Sequence, residues 1–386
     1  MKTKYKIVHI ISNLSIGGAQ ILLFDILSNL KKKEDLDIYL ITIDSGVYIE
    51  KYKDAGINVI DLGEKGLVNP NIYFKIKKVI NSIKPDIVHT HLNKADFYGR
   101  VAAKKLKVPV IFSTCHNYST THTGADINRK SFFDIIDNKV TDYSDCSLIA
   151  ISELVKKYLI NRNQLFEKRT EVIYNGIDIN KSVYRLSQEK IIKLRAENNL
   201  NSDDFIISII GRLDKQKGHL FFLEAVKEIL LHNRKIKILI IGDGKLRVQI
   251  EEYIKKNELS SQVIMKGFLP DSEPYIEISD LICMPSLWEG FGLVVTEGII
   301  KRKIVLASNV GGIPEIIQDG ISGFLFEPQN KTELTEKLTY IYRNFTKLDK
   351  IKENALSILK EKFDIAKNSE EYYKYYIRKI ENSKIQ

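Results

Sequence analysis

The sequence predicts an α/β protein made of two domains, each built on a parallel β-sheet. Short apolar, β-branched segments alternate with longer segments of helical spacing, which is the pattern of strand–helix–strand units. This alternation restarts after residue 200, beyond a polar helical stretch at 187–199. A chain of 386 residues is too long for one ordinary core and suits two domains of common size.

The strands are recognised as β-branched runs bounded by turn residues. In the first half they are predicted at Ile7–Ile11, Ile38–Ile43, Val59–Asp61, Ile87–Thr90, Val110–Ser113 and Leu148–Ile151. In the second half they are predicted at Ile206–Ile210, Ile236–Ile241, Val263–Met265, Leu281–Met284, Ile304–Ala307 and Phe324–Phe326. Segments of helical spacing fill the intervals; in 20–30, for example, Leu23, Ile26 and Leu27 share one face.

The domain boundary is predicted within the polar stretch that separates the two sets of strands. Residues 1–185 form the N-terminal domain and residues 186–369 the C-terminal domain, while 370–386 is a tyrosine-rich segment of helical pattern. Ligands of parallel sheets bind at the carboxyl ends of the strands, so we expect the two domains to face each other across a cleft lined by these ends.

The composition indicates a soluble globular protein, with 44% apolar and 28% charged residues. No apolar run reaches the roughly 18 residues of a membrane span. The first apolar run ends at Ile11 and is followed by Ser12 and Asn13, so no signal-peptide core is present. Three cysteines without a Cys-x-x-Cys motif indicate neither a disulfide framework nor a thiolate zinc site. We therefore expect a cytoplasmic protein.

The net charge is +10, and lysine clusters at 31–33, 75–78 and 104–107 all lie in the first half of the chain. One interpretation is that these lysines are solvated helix ends. The other is attraction to an anionic membrane surface or an anionic acceptor. Aromatic residues are not interleaved with the lysines, so nucleic acid is not an expected partner.

The most informative motif is the segment 285–298, which reads PSLWEGFGLVVTEG and directly follows a predicted strand. Gly290 and Gly292 interrupt any helix and let backbone N–H groups come close to a ligand. A helix then begins near Leu293, and its free N–H groups and dipole form an anion site.

Two carboxylates flank this anion site, Glu289 in the loop and Glu297 in the opening turns of the helix. Carboxylates of this kind accept hydrogen bonds from sugar hydroxyl groups. The alternative is a loop-to-helix junction with an acidic capping residue. The other motifs of the chain favour the binding site.

One of those motifs is the segment 211–218, GRLDKQKG, which again follows a strand and precedes a helix. Arg212 and Lys217 at the carboxyl end of a strand can neutralise a pyrophosphate, the arginine as a fork and the lysine as a point charge. Alone, this motif also fits an ordinary exposed polar loop.

Two glycine motifs add information of different kinds. The small residues 17–19 open the first helix and leave room for a phosphate or sugar, although a tight turn explains them equally well. The motif 242–244 lacks a third glycine at the dinucleotide spacing, where Arg247 stands. Nicotinamide and flavin cofactors are therefore not expected.

His116 follows a predicted strand and is a candidate hydrogen-bond partner for a ligand at the carboxyl end of the sheet, although histidines at strand ends are also often merely structural. Cys115 points to the opposite face of the extended chain, so a Cys–His nucleophile pair is not expected. His89 and His91 share a face, and with His116 and His122 they raise the hypothesis of a metal site. No carboxylate of metal-ligand spacing accompanies them, so no metal is predicted.

Taken in order, these motifs resemble those of glycosyltransferase family 4, the retaining enzymes of the GT-B fold. The resemblance covers nearly the whole chain, and its specific part is the Glu289-x7-Glu297 spacing together with the loop 211–218. Supporting matches are the segments 17–19, 114–116, 174–178, 242–244 and 311–315.

The resemblance implies a role for each matched position of the C-terminal domain. Arg212 and Lys217 would bind the donor pyrophosphate and offset the charge of the leaving group. Glu297 would hold the ribose hydroxyls of the nucleotide. Glu289, with the backbone at 290–292 (Gly290, Phe291 and Gly292), would hold the hydroxyls of the donor sugar and a phosphate.

The N-terminal domain would contribute Gly18 against the donor phosphate and His116 beside the donor sugar. The terminal segment 370–386 would cross back onto this domain. Attack would come from the face of the departing phosphate, which takes the acceptor proton, so neither a dedicated carboxylate nucleophile nor a metal is required. The expected co-substrate is a nucleotide-diphosphate sugar, with no cofactor.

The function implied is transfer of a sugar from this donor to a sugar or lipid-linked glycan acceptor, in the synthesis of surface polysaccharide or glycoconjugates. The enzyme is expected to be cytoplasmic, with peripheral attachment to the inner face of the membrane. Two alternatives are an epimerase of the same fold and a non-catalytic nucleotide-sugar binder. The base, the sugar and the acceptor are not encoded in any motif that we can interpret.

Overall fold

A computed structural model describes residues 4–66, 68–117, 132–179 and 185–385. This part of the chain divides into two compact units. Unit 1 contains the described residues up to Asp178 and those from Phe363 onward, and unit 2 contains those of Ile179–Lys362. The predicted boundary at 185/186 lies next to residues 180–184, which are outside the described residues.

Unit 1 is built on a parallel sheet of seven strands, in the order β3-β2-β1-β4-β5-β6-β7. The strands are β1 (Tyr5–Asn13), β2 (Leu36–Asp44), β3 (Asn58–Asp61), β4 (Ile87–His91), β5 (Val110–Cys115), β6 (Ser147–Ala150) and β7 (Thr170–Val172). The helices between them are α1 (Gly18–Leu30), α2 (Ile49–Asp54), α3 (Pro70–Ile83), α4 (Asn93–Lys105), α5 (Phe132–Ser144) and α6 (Glu153–Arg162), with a 3₁₀ segment at Gln164–Arg169.

Unit 2 repeats the plan with six parallel strands, in the order β10-β9-β8-β11-β12-β13. The strands are β8 (Phe205–Ile210), β9 (Ile236–Ile241), β10 (Val263–Gly267), β11 (Leu281–Met284), β12 (Ile304–Ser308) and β13 (Phe324–Phe326). The helices are α7 (Gln188–Glu197), α8 (His219–His232), α9 (Arg247–Lys256), α10 (Glu273–Ile278), α11 (Leu293–Ile300), α12 (Ile313–Ile316), α13 (Lys331–Asn344) and α14 (Asp349–Lys362), with 3₁₀ turns at Lys215–Lys217 and Phe345–Lys347.

The predicted fold class, two Rossmann-like parallel-sheet domains, is confirmed. Each predicted strand is present, with its ends shifted by at most two residues. The strand that sequence reasoning missed is β7, which has only three residues and carries a charged one in the middle. A segment this short and polar shows no periodicity.

The central strands of each sheet are buried on both faces, which explains why continuous apolar runs in the sequence predicted them correctly. The strand Phe205–Ile210 is buried over its first five residues, because helices cover the sheet on each side. In unit 1, Ile7, Ile11 and Phe112 belong to one continuous apolar core. The two units have separate cores.

The last helix, α15 (Ile365–Ile385), belongs to unit 1 although it follows all of unit 2 in the chain. It starts five residues before the predicted segment 370–386, packs on α1 and buries Tyr372 and Tyr376 completely. Lys33 binds Glu370 at 2.6 Å at the edge of this contact. Neither α15 nor any other helix in the described part of the chain has the length and apolar character needed to cross a membrane.

In each sheet the strand order reverses direction at one point, between β1 and β4 in unit 1 and between β8 and β11 in unit 2. Loops at the carboxyl ends of the two central strands diverge there and leave a crevice in which ligands of doubly wound sheets bind. The motifs predicted at 17–19, 211–218 and 285–298 all follow one of these four strands.

Candidate functional site

In unit 2 the two loops that flank the reversal point are held tightly against each other. The amide of Leu287 donates to the carbonyl of Gln216 at 2.7 Å. Gly218 has a φ of 68°, and a Cβ there would lie 1.9 Å from the carbonyl oxygen of Pro285. Only glycine permits this approach, so the loops 211–218 and 285–292 form one continuous surface.

Lys217 and Glu289 form an ion pair on this surface. The Lys217 ammonium donates to both carboxylate oxygens of Glu289, at 2.9 and 2.8 Å. Glu289 is 7% exposed, so its charge is held by partners and not by bulk water. The predicted phosphate-binding cation and the predicted sugar-binding carboxylate are therefore direct neighbours.

Arg212 lies on the same loop but is more open. Its side chain is 62% exposed, and its Nε donates to the Asp214 carboxylate. The other carboxylate oxygen of Asp214 accepts the amide of Lys217 at 3.3 Å and so caps the turn that follows. The rest of the guanidinium remains available to an anion.

The anion site was predicted at the amino end of α11, where glycines shape the backbone. Gly292 precedes the helix with a φ of 94°, a conformation that favours glycine. Gly311 supports the loop from below, because a Cβ there would lie 1.6 Å from the carbonyl oxygen of Glu289. The amide of Gly312 donates to the carbonyl of Gly290 at 3.1 Å. The motif 311–315 is thus a clamp on the loop.

Glu297 lies on the second turn of α11 and is partly buried. Burial, together with the negative charges of Glu273 and Asp271, raises the pKa of its carboxyl group to about 7. A group of this kind accepts hydrogen bonds from hydroxyls, and the bonds then favour its ionised form.

In unit 1, Gly18 is the first residue of α1, directly beyond the carboxyl end of β1. Gly17 before it is fully extended, and a Cβ there would lie 2.5 Å from the side-chain oxygen of Gln20. The amino end of α1 therefore presents backbone without side chains, as predicted for a phosphate or sugar contact.

His116, which is partly exposed, is the end of a chain of three imidazoles whose other two members, His91 and His9, are buried. His116 shares a hydrogen bond of 3.2 Å with His91, which shares one of 3.0 Å with His9. His89 instead contacts the hydroxyls of Tyr376 and Thr114, at 2.6 and 2.8 Å. The sequence did not single out His9. In the β1–β4 register it is paired with His89, so both side chains lie on the same face of the sheet.

The geometry of the histidine cluster is compatible with a metal site. His9, His89 and His91 each offer a ligand atom, and these atoms lie within 4.8 Å of one another. Hydrogen bonds nevertheless already engage both nitrogens of His89 and of His91. Burial lowers the pKa of His9 to about 3 and that of His116 to about 4. The cluster is thus a neutral hydrogen-bonded network. His122 lies outside the described residues.

Cys115 has the surroundings of a structural thiol. Its thiol donates to the carbonyl of Asn117 at 3.0 Å. Burial raises the pKa of this thiol to about 12, so the thiolate does not form near neutral pH. This agrees with the expectation that no Cys–His pair exists here.

The fold and the site together define a class. Two Rossmann-like domains, with cations and a helix amino end gathered at the reversal point of the second sheet, are the arrangement of GT-B enzymes that handle nucleotide-diphosphate sugars. Two family models match the chain: "Glycosyltransferase Family 4" at residues 16–181 and "Glycosyl transferases group 1" at residues 190–357.

Individual proteins agree with these matches. An uncharacterized glycosyltransferase of Methanocaldococcus jannaschii is 30% identical over 338 residues, which cover 85% of this chain and 86% of the relative. The UDP-Gal:alpha-D-GlcNAc-diphosphoundecaprenol alpha-1,3-galactosyltransferase of Escherichia coli is 27% identical over 345 residues, 84% of each chain. HepE of Anabaena, solved in complex with UDP-glucose, superimposes with a TM-score of 0.83 at 22% identity, over 96% of this chain and 98% of its own.

The chain belongs to glycosyltransferase family 4. It is a glycosyltransferase of the GT-B fold. The roles of its individual site residues stay predictions.

Proposed function

We propose that this enzyme transfers a sugar from a UDP-sugar to a lipid-linked glycan acceptor, in the synthesis of a surface polysaccharide or glycoconjugate. The observation that carries the donor half is the gathering of Arg212, Lys217 and the amino end of α11 at one reversal point. The choice of uridine is supported by the Anabaena complex, and the choice of acceptor by the name of the Escherichia coli relative.

Arg212 and Lys217 receive the pyrophosphate in this proposal. Arg212 is exposed enough to bind as a fork, and Lys217 is held within reach by its ion pair with Glu289. As the bond to the sugar breaks, negative charge grows on the leaving diphosphate. Preorganised cations stabilise that charge more in the transition state than in the bound donor, and this accelerates the reaction.

The remaining site residues hold the donor in position. Glu297 accepts the ribose hydroxyls, while Glu289 and the backbone of 290–292 bind the sugar hydroxyls and a phosphate. Gly18 leaves room for the diphosphate at the amino end of α1. His116, neutral because burial lowers its pKa, is a hydrogen-bond partner of the sugar that adds no charge of its own.

Retention follows if the acceptor attacks on the face from which the diphosphate departs, and the diphosphate takes the acceptor proton. Under this mechanism the two cations supply the charge that a metal supplies elsewhere, so we propose that transfer is independent of metal. Initial rates should then be the same with and without an excess of a chelator. A rate restored only by a divalent ion contradicts this part of the proposal.

We also propose peripheral attachment to an anionic membrane surface through unit 1. On α3, Phe74 is 65% exposed and lies on one helix face with the exposed Lys75 and Lys78, and Val68 just before the helix is 89% exposed. Apolar side chains among lysines suit a lipid surface. Phe74→Ser should release the enzyme from vesicles that contain phosphatidylglycerol, whereas Phe268→Ser, at a phenylalanine of unit 2 that is 51% exposed, should not.

Thermal unfolding with nucleotide ligands tests the donor site. UDP, GDP, ADP and a panel of their sugars are added to wild type and to Glu297→Ala. A ligand at 100 times its dissociation constant adds about 2.7 kcal/mol of stability. We expect uridine compounds alone to raise the melting temperature of wild type, and the variant to lose most of that shift. No shift with any nucleotide contradicts the proposal.

A further inference from the structure

Gln216 joins the two loops of the donor site through both its side chain and its backbone. Its amide nitrogen Nε2 donates to the carbonyl of Trp288 at 3.0 Å and lies 3.4 Å from Oε1 of Glu289. The backbone carbonyl of Gln216 accepts a hydrogen bond from the backbone amide of Leu287 at 2.7 Å. The residue is therefore fixed at the point where the loops meet.

Glu289 has two side-chain donors of different kinds. The Lys217 ammonium bonds to both of its oxygens, and the Gln216 amide reaches Oε1. The carboxylate is 7% exposed, and a charge this deeply buried is costly without donors. The two donors thus share one oxygen, Oε1.

The two donors respond differently to an arriving pyrophosphate. Lys217 is charged and flexible, so the phosphates attract it and lengthen or break its bonds to Glu289. Gln216 is neutral and is held by Trp288 and Leu287, so no comparable force moves it. Without it, Glu289 would lose its donor at the moment when its orientation matters.

We propose that Gln216 is a positioning residue that keeps Glu289 directed at the donor sugar when the pyrophosphate draws Lys217 away. The inference rests on the proposed function, because it requires a diphosphate at Lys217 and a sugar at Glu289. It adds a residue that contacts no part of the donor and acts only through the carboxylate.

The test compares two ligands that differ only in the sugar, UDP and the UDP-sugar that gives the largest shift in the melting panel. Gln216→Met keeps the length of the side chain and removes its donor. We expect the affinity for UDP to be unchanged and the affinity for the UDP-sugar to fall about tenfold or more, as for the loss of a hydrogen bond to a charged group. Lys215→Met, an exposed neighbour in the same turn, is the matched control and should change neither affinity.

A double variant separates positioning from a general effect on folding. If Gln216 acts through Glu289, then Gln216→Met should cost no further affinity for the UDP-sugar once Glu289→Ala is present. Trp288 is the single tryptophan and is 3% exposed. An unshifted maximum of its fluorescence emission therefore shows that the loop 285–292 stays packed in each variant.

Each remaining outcome overturns something specific. Equal losses for UDP and the UDP-sugar mean that Gln216 only holds the loops together, and unchanged affinities mean that it does nothing for the donor. Both overturn the inference and leave the donor site intact. A wild-type protein that binds neither ligand overturns the proposed function, and the inference with it.

Discussion

At the scale of single residues, most charged groups of the site form ion pairs. Lys217 and Glu289 neutralise each other, and Arg212 is similarly close to Asp214. Glu297 forms no ion pair with a cation of the described residues, and its pKa of about 7 reflects burial among other carboxylates. The protonation of Glu297 therefore changes near neutral pH.

The raised pKa of Glu297 predicts a stability effect with a definite sign. Between its ordinary value of 4.5 and about 7 the folded protein binds more protons than the unfolded chain, so stability falls as pH rises through this window. Glu297→Gln removes that cost. We expect the variant to be more stable than wild type at pH 8, by roughly 3 kcal/mol, and to lose most of this advantage at pH 5. Urea unfolding at both pH values measures the difference.

The same variant should bind UDP more weakly, because an amide is a poorer acceptor for the ribose hydroxyls than a carboxylate. A gain in stability together with a loss of ligand affinity is the mark of a functional residue. If the two proteins have parallel stability curves between pH 5 and pH 8, the carboxyl group is not perturbed as described.

The buried histidines of unit 1 predict the opposite dependence on pH. Burial lowers the pKa of His9 to about 3, so the unfolded chain takes up a proton below pH 6.5 that the folded protein refuses. Stability therefore falls as pH decreases from 6.5 towards 4. We expect His9→Leu to reduce the slope of the free energy of unfolding against pH between pH 6.5 and 4, measured by urea unfolding. A slope equal to that of wild type contradicts the lowered pKa of His9.

At the scale of elements, the site depends on close approaches of backbone that only glycine allows. Gly218 brings the first loop against the second, and Gly311 supports the carbonyl of Glu289. These glycines lie in different motifs of the sequence. Their common function becomes visible only when the loops are seen side by side.

A matched pair of variants tests this element. Gly311 and Gly320 have similar φ values of 61° and 71°, but a Cβ at Gly320 meets no described atom within 4 Å. Gly320→Ala should cost about 1 to 2 kcal/mol from backbone strain alone and leave UDP binding intact. Gly311→Ala should cost more and should abolish most UDP binding, because the Glu289 loop must move. Urea unfolding and calorimetric titration give the two quantities, and equal effects at both positions would rule out the clamp.

At the scale of the whole molecule, unit 1 is completed by the end of the chain. Tyr372, Tyr375 and Tyr376 of α15 belong to its apolar core together with strand residues such as Ile7. Tyr376 also contacts His89 through its hydroxyl at 2.6 Å. The last helix is therefore part of the core and not an appendage.

Two substitutions of Tyr376 separate packing from hydrogen bonding. Tyr376→Ala should destabilise unit 1 by about 3 to 5 kcal/mol, as for other large aromatic residues in cores. Tyr376→Phe should cost about 1 kcal/mol, since it removes only the hydroxyl. Hydrogen exchange should locate the effect in unit 1. Tyr340→Ala, at a 52% exposed position of unit 2, is the control and should leave unit 1 unchanged.

The sequence predicted the elements well and the contacts between them poorly. Strands such as Ile236–Ile241 are buried on both faces and read as apolar runs, whereas β7 is too short to show a pattern. Motifs identified Lys217 and Glu289 individually. Their ion pair joins residues 72 positions apart in the sequence. The periodicity of apolar residues carries no information about a contact between residues so far apart.

Gln216 and His9 were missed for the same reason. A glutamine in a polar loop and a histidine inside a strand have no unusual neighbours in the sequence. Their importance comes from Trp288 and His91, which the fold brings to them from 72 and 82 residues away. Register and loop packing decide such pairs, and both are properties of the folded chain.

The return of the chain to unit 1 at Phe363 has a consequence for synthesis on the ribosome. Unit 2 is continuous from Ile179 to Lys362, so it can fold while the last helix is still being translated. Unit 1 emerges first, but its core lacks the tyrosines of α15 until that helix has been translated. The unit that is made first is thus completed after unit 2, and part of its apolar core stays uncovered until α15 packs on it.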